Sequence, residues 1–216
     1  RIFIDCNVQS PADMLSPGRI GMTAILPVRF TAMKWYGKGP LETYPDRQCG
    51  GRMGVYSEDV RNQPFYLRPQ EYGLHMESRS MRLTDPDRAD FVRFEAACPM
   101  AMSAVPYSDL QLWNARHPLE LPAPEALYVH LDYAHRRLGN SSCGPDVLPT
   151  YRIDDRPCHF GFALEAGLGE REDNPFGPIP EEIPAYHPWK AVGEQDRTPS
   201  YRDPSDPDQR SNAGMV

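Results

Sequence analysis

The residues most able to do chemistry lie in the segment KWYGKGPLETYPDRQCGG, residues 34–51. Two carboxylates, Glu42 and Asp46, stand four positions apart there, and Arg47 follows directly. A glycosidase holds two carboxyl groups about 5–10 Å apart on opposite sides of the bond it cleaves, and two acids in one turn could reach that spacing. A Pro-Asp-Arg sequence more naturally forms an ion pair or caps a turn. The residue types therefore favour a structural corner over a catalytic pair.

A phosphate-binding loop is excluded at the same place. Residues 37–42 read GKGPLE, so a glutamate stands where a G-x-G-x-x-G loop needs its third glycine. The P-loop pattern G-x-x-x-x-G-K-[ST] is also missing from the sequence.

Histidines and acids form two further candidate groups. His75 and Glu77 are separated by one residue, and His130, Asp132 and His135 stand close together in a later segment. On alternating strands such residues face solvent or a polar interior as often as a metal. We therefore predict no metal site in this chain.

A nucleophile is poorly supported at GNSSCGP, residues 139–145. The G-x-S-x-G pattern of a nucleophile elbow is absent there, and a thiol nucleophile at Cys143 would need a histidine close in space. By themselves, the residues predict no catalytic set.

The amino-acid composition limits the fold classes and functions that this chain can have. Proline makes up 24 of 216 residues, about twice its usual share, which favours strands and turns over a helical bundle. The net charge of −7 and three scattered lysines exclude a basic nucleic-acid surface. No apolar run is long enough for a membrane helix. Five cysteines without a C-x-x-C pair indicate free, mostly buried thiols in a reducing, cytoplasmic compartment.

Alternating apolar residues predict an antiparallel β-sandwich. Ile2, Ile4, Cys6 and Val8 share one face of a predicted strand, and the same alternation recurs at 127–133 and 160–164. Further apolar runs, separated by turn signals, lie at 20–30, 72–83 and 91–97.

One short helix and one tail complete the predicted organisation. Ser108 and Gln111 form a capping box that begins a helix covering a sheet edge, and Pro118 should end it. Residues 168–216 hold eight prolines and few apolar residues, so they predict an extended tail beside a domain at 1–167. We expect three apolar residues to anchor the tail: Ile183, Tyr186 and Trp189.

The segment WYGKGPLETYPDR resembles the W-x-G-x-G-P-x-E-x-Y-x-D-R signature of the C-terminal β-domain of bacterial β-galactosidases, in glycoside hydrolase family 2. The matching residues are Trp35, Gly37, Gly39, Pro40, Glu42, Tyr44, Asp46 and Arg47. Four further segments resemble family segments in the family's order: RIGM at 19–22, YLRPQEYGLHMESRSMRL at 66–83, SDLQLWNARHPLEL at 108–121 and LDYAHRRLGNSSCGPDVLPTY at 131–151. The likeness covers about residues 1–167.

The resemblance implies a galactose-mutarotase-like supersandwich whose first strands lie before this segment, so we expect a fold truncated at its N-terminus. The family's catalytic acid and nucleophile lie in a separate (β/α) barrel, in Asn-Glu and Cys-Glu-Tyr contexts. Neither context occurs in this sequence. The resemblance therefore implies a noncatalytic domain, inactive alone, of an enzyme that hydrolyses terminal β-D-galactosides such as lactose. Its expected partners are the barrel and other domains of an oligomer, with no cofactor in this chain and a divalent cation in the parent enzyme.

Two parts of the chain receive roles from this resemblance. In the signature, glycines should allow a turn, Trp35 and Tyr44 should pack on the sandwich, and Arg47 should pair with Glu42 or Asp46. The closing loop should lie at the edge of the active site, where Cys143 stands in place of a Trp that relatives present to the sugar. The substrate-binding candidates of this loop are Asn140, Ser141, Ser142 and Cys143.

Two alternatives stay open on the same fold. The first is a sugar epimerase of the aldose 1-epimerase kind, which needs a histidine base with a glutamate partner and would use His75 and Glu77. The second is a carbohydrate-binding module without chemistry.

Overall fold

A computed structural model of the chain describes residues 1–9, 17–64, 66–136, 147–153 and 157–169. The strands are β1 (Ile2–Val8), β2 (Arg19–Pro27), β3 (Ala32–Gly39), β4 (Arg52–Asp59), β5 (His75–Thr84), β6 (Phe91–Val105), β7 (Ala126–His135) and β8 (Cys158–Gly167). One α-helix, α1, spans Asp109–Asn114, and 3-10 turns lie at Val60–Asn62, Pro118–Glu120 and Pro149–Tyr151. The prediction of an antiparallel, all-β fold with one short helix is confirmed. No helix in these residues is long and apolar enough to cross a membrane.

The described strands form one antiparallel sheet that divides at β6. Its order is β1-β8-β6-β5-β3-β4, and β7 and β2 extend from β6 as a separate branch. The division follows from the length of β6, because Phe91–Ala96 pairs with β8 whereas Ala101–Val105 pairs with β7. The rings of Tyr133 on β7 and Phe160 on β8 stack with their centroids 5.5 Å apart. The two branches thus pack face to face, as a sandwich requires.

The alternation in β1 and β7 has different outcomes. Ile4, Cys6 and Val8 pack against the core, but Ile2, expected on the same face, is largely exposed at the start of an edge strand. In β7, the alternate residues Leu127, Val129, Leu131 and Tyr133 lie in the core as expected. His130 and Asp132, on the opposite face, are buried as well. The side chains of that second face form ion pairs, and these compensate for the loss of their hydration on burial.

Helix α1 begins as predicted but ends before Pro118. The Ser108 hydroxyl accepts from the Gln111 backbone N–H, and the Gln111 side chain accepts from the Ser108 N–H, so the capping box is complete. The helix ends at Asn114, and Pro118 begins the next 3-10 turn. Leu112 packs with Val105 at the end of β6.

Cys6, Cys49 and Cys98 are free thiols, as predicted, but they are less buried than expected. Cys6, Cys98 and Cys158 are half-buried, and Cys49 is exposed on the turn after the signature. The predicted tail anchors and the four loop candidates Asn140, Ser141, Ser142 and Cys143 lie outside the described residues.

Candidate functional site

The signature segment leaves the sheet at the end of β3 and makes a tight corner. Trp35 and Tyr44 are fully buried, and the Trp35 indole N–H donates to the Lys38 carbonyl at 3.0 Å. Tyr44 and Arg47 exchange two backbone hydrogen bonds of 3.2 and 2.8 Å across the turn. At Gly37, a Cβ would lie 2.8 Å from the Ser78 Cα on β5, so this strand pair approaches too closely for a side chain.

Glu42 is the polar centre of this corner. Its carboxylate accepts from the Gly73 backbone N–H at 2.8 Å, from the Tyr66 hydroxyl at 2.5 Å and from the Arg47 guanidinium. Arg47 also donates to the Tyr66 hydroxyl at 2.8 Å. Burial and the hydrogen bond to Glu42 raise the pKa of Tyr66, which keeps its donor proton in place. Arg47 thus forms an ion pair with Glu42, one of the two acids expected to pair with it.

Backbone contacts tie the corner to the segment that enters β5. The Thr43 N–H donates to the Leu74 carbonyl at 2.6 Å, and its hydroxyl accepts from the Met76 N–H at 2.8 Å. Sequence reasoning could not place Tyr66 or Gly73 here, because they lie more than 20 residues from Glu42.

Beside the corner lies a cleft of about 590 Å³. Polar side chains from separate segments line it: Glu42, Asp46, Arg47, Gln48, Glu58, Gln63 and His75. Its volume lies within the range of about 300–1,000 Å³ that small-molecule sites usually have.

His75 forms part of the cleft wall and is rigidly held. Only 2% of the residue is exposed, and its ring stacks on Trp35 with the centroids 3.8 Å apart. Burial lowers the pKa of His75 to about 3, so the imidazole is neutral at pH 7. Neither ring nitrogen has a hydrogen-bond partner among the described residues.

Comparison with known proteins decides the family. The model of the family described as Beta galactosidase small chain matches residues 1–164, which include the signature and all but the last three residues of β8. The chain belongs to the β-galactosidase small-chain family.

Curated relatives agree with this assignment and are much longer. A β-galactosidase of Staphylococcus xylosus is 31% identical over 71% of this chain and 16% of its own length. One of Arthrobacter is 34% identical over 69% of the chain and 15% of its own length, and BgaC of Bifidobacterium adolescentis is 38% identical over 76% and 16%. The small-chain domain thus spans about a sixth of the length of the curated relatives it matches.

The structure does not support His75 and Glu77 of the small-chain domain as an epimerase pair. Glu77 forms an ion pair with Lys38, with 2.6 Å between Nζ and Oε1, and it is not among the described residues that line the cleft beside His75. A histidine with a pKa near 3 is also a weak general base at neutral pH.

The second histidine group belongs to a buried ion-pair cluster. His135 on β7 lies 2.7 Å from Glu71, and Arg19 on β2 pairs with Asp109 of α1 and lies 3.7 Å from Glu71. Asp132 is buried 3.9 Å from Arg19. Among the described residues, no three histidine, cysteine or acidic side chains are placed to hold a metal ion. Sequence reasoning found His130, Asp132 and His135 but missed Arg19 and Glu71, although both lie in segments that resemble the family.

Proposed function

We propose that this chain is the noncatalytic C-terminal domain of a cytoplasmic β-galactosidase that hydrolyses terminal β-D-galactosides. The observation that carries this proposal is the family match over residues 1–164 in a chain that covers only about a sixth of its relatives. The signature geometry supports a structural role, because Glu42 already accepts hydrogen bonds from three groups and is poorly placed to act as a free acid or nucleophile.

Within the parent enzyme, the domain supports the architecture and contributes the edge of the active site. Its proposed substrate contacts are the loop residues Asn140, Ser141, Ser142 and Cys143. The proposed partners are the catalytic barrel and the other domains of an oligomer, and the divalent cation of the parent is proposed to bind outside this chain.

The test is reconstitution from two pieces. The 216-residue chain alone should give no hydrolysis of a chromogenic β-galactoside, and the parent polypeptide that lacks these residues should also be inactive. Mixing the two should restore turnover. Turnover by the chain alone that Glu42→Gln abolishes would overturn the noncatalytic role, and full activity of the shortened parent would overturn the architectural one.

An exposed apolar surface around α1 is a candidate contact for the rest of the enzyme. Trp113 is 81% exposed, and Leu110 and Leu119, which are close to it in the sequence, are also exposed. Three large apolar side chains within ten residues are unusual on a free surface and typical of one that another domain covers.

Trp113→Ser is therefore expected to weaken reconstitution while leaving the domain itself intact. The concentration of chain that restores half of the activity should rise about tenfold or more, as for a central interface aromatic. The midpoint of urea unfolding of the chain alone should stay the same, because the side chain has few contacts to lose. Trp113→Phe is the matched control and should reconstitute like the wild type. Unchanged reconstitution by Trp113→Ser would place the interface elsewhere.

A further inference from the structure

Two residues that line the cleft beside the signature, His75 and Gln63, carry buried polar atoms that the described residues leave unsatisfied. Both ring nitrogens of His75 and the side-chain oxygen of Gln63 are buried without a hydrogen-bond partner among those residues. The Lys38 carbonyl accepts from the Trp35 indole N–H at 3.0 Å, and its contact with the His75 ring, which acts to raise the pKa of that ring, lies outside hydrogen-bond geometry. Buried polar groups in native proteins are nearly always paired, so three such atoms in one cleft point to a bound molecule.

The fold holds these atoms in fixed positions. Gly73 has a positive φ of 73°, and a Cβ there would lie 2.5 Å from the Gln63 side-chain oxygen. Glu42 accepts from the N–H of the same glycine, and the stack on Trp35 fixes the ring of His75. Such a preformed site loses little conformational entropy when it binds a ligand.

The polar groups that line the cleft indicate which kind of ligand it can bind. A neutral imidazole offers one donor and one acceptor, and the Gln63 oxygen offers an acceptor. Glu58 lies half-buried on the same cleft, and burial raises the pKa of its carboxyl group. Among the described lining residues the acids outnumber the single arginine, and Arg47 is already paired with Glu42. An anion is therefore disfavoured, whereas adjacent hydroxyl groups match both donors and acceptors.

We propose that this cleft binds a monosaccharide or a similar small neutral polyol, with hydroxyl groups hydrogen-bonded to His75 and Gln63. The residues of this site are different from the proposed contact residues 140–143, and the inference does not depend on the parent enzyme's activity.

The experiment follows the imidazole signals of the isotope-labelled 216-residue chain by NMR during titration with D-galactose. The His75 signals should shift saturably, whereas those of His159, half-exposed and paired with Asp5, should not. L-Lysine and inorganic phosphate serve as cationic and anionic probes and should leave His75 unchanged. No shift with D-galactose would overturn the proposal and leave water as the partner of these atoms, and a shift with lysine or phosphate alone would assign the site to a charged ligand instead.

Two variants separate binding from stability. His75→Phe keeps the stack on Trp35 and Gln63→Leu removes the unsatisfied oxygen, so both should fold with an unchanged or higher midpoint of unfolding. Gln63→Leu should weaken D-galactose binding at least tenfold, as measured from the His75 signals. In the wild type, bound D-galactose should protect the chain from urea unfolding, and His75→Phe should abolish that protection. Wild-type protection in both variants would overturn the proposal. Because reconstitution is measured separately, failure here leaves the proposed function untouched.

Discussion

Glu42→Ala is expected to lower the free energy of unfolding by about 3 kcal/mol. The change removes the acceptor of the Gly73 N–H, the Tyr66 hydroxyl and the Arg47 guanidinium in one step. An unsatisfied buried donor costs about 1–3 kcal/mol, and the Gly73 N–H is the donor least able to find another partner because it belongs to the backbone. The measurement is urea unfolding of the 216-residue chain at pH 7.

Arg47→Ala is the matched comparison and should cost less, about 1 kcal/mol. The Arg47 side chain is 52% exposed, whereas the Glu42 side chain is 17% exposed, so solvent screens the ion pair from the arginine side. In Arg47→Ala, Glu42 keeps the Gly73 and Tyr66 hydrogen bonds. An Arg47→Ala cost equal to that of Glu42→Ala would show that the ion pair, and not the hydrogen bond to the backbone, holds the corner together.

The three partners of the Glu42 carboxylate show what a single sequence can predict about this corner. Arg47 is five residues from Glu42, so turn chemistry and charge were enough to propose the pair. Tyr66 and Gly73 reach the same carboxylate only because β3 and β5 pair and bring residues 66–76 alongside the turn. Local rules predict partners within a turn, and the contacts between distant segments depend on strand pairing that no single segment encodes.

The sheet shows the same limit. Period-two alternation predicted strands at 2–8, 127–133 and 160–164, because each segment carries its own pattern. The division at β6 could not be read in this way. It depends on β8 and β7 pairing with successive halves of one 15-residue strand, and on register shifts in the pairing of β5 with β6.

Alternation also gave no sign that the polar face of β7 would be buried. A strand with His130 and Asp132 on one face suggests solvent on that side, yet Arg19, Glu71 and Asp109 arrive from three other segments and cover it. His75 shows the same limit of sequence reasoning. Its spacing to Glu77 resembles that of metal ligands, and this spacing does not predict that the His75 ring stacks on Trp35.

The buried cluster on β7 leads to the second large effect, which depends on pH. Asp132 is 2% exposed, and one of its carboxylate oxygens has no hydrogen-bond partner among the described residues. Burial raises the pKa of Asp132 from 3.8 to about 7, although the positive charge of Arg19 acts in the opposite direction. The other titratable groups that act on it are His135, Glu71 and Asp109.

The sign of the pH effect follows from this raised pKa. Between about pH 4 and 7 the folded chain keeps a proton on Asp132 that the unfolded chain releases. The stabilising contribution of that proton is fully present below pH 3.8 and is lost as the pH rises through 7. His130, whose burial lowers its pKa to about 4, gives a slope of the opposite sign. A variant of Asp132 alone isolates the first effect, because His130 is present in both proteins.

Asp132→Asn is therefore expected to stabilise the chain at pH 8 by about 2–4 kcal/mol relative to the wild type. The amide keeps the shape of the side chain and carries no charge to bury. The advantage should shrink steadily as the pH falls below 7, and it should disappear only below about pH 3.8, where the carboxyl group is protonated in the unfolded state as well. Urea unfolding of both proteins at pH 5, 6, 7 and 8 measures the difference, and the exposed Asp87→Asn should change stability by less than about 0.5 kcal/mol throughout. If Asp132→Asn is less stable than the wild type at pH 8, Arg19 stabilises an ionised Asp132, and the cluster is a network of permanent charges with no proton to release near neutral pH.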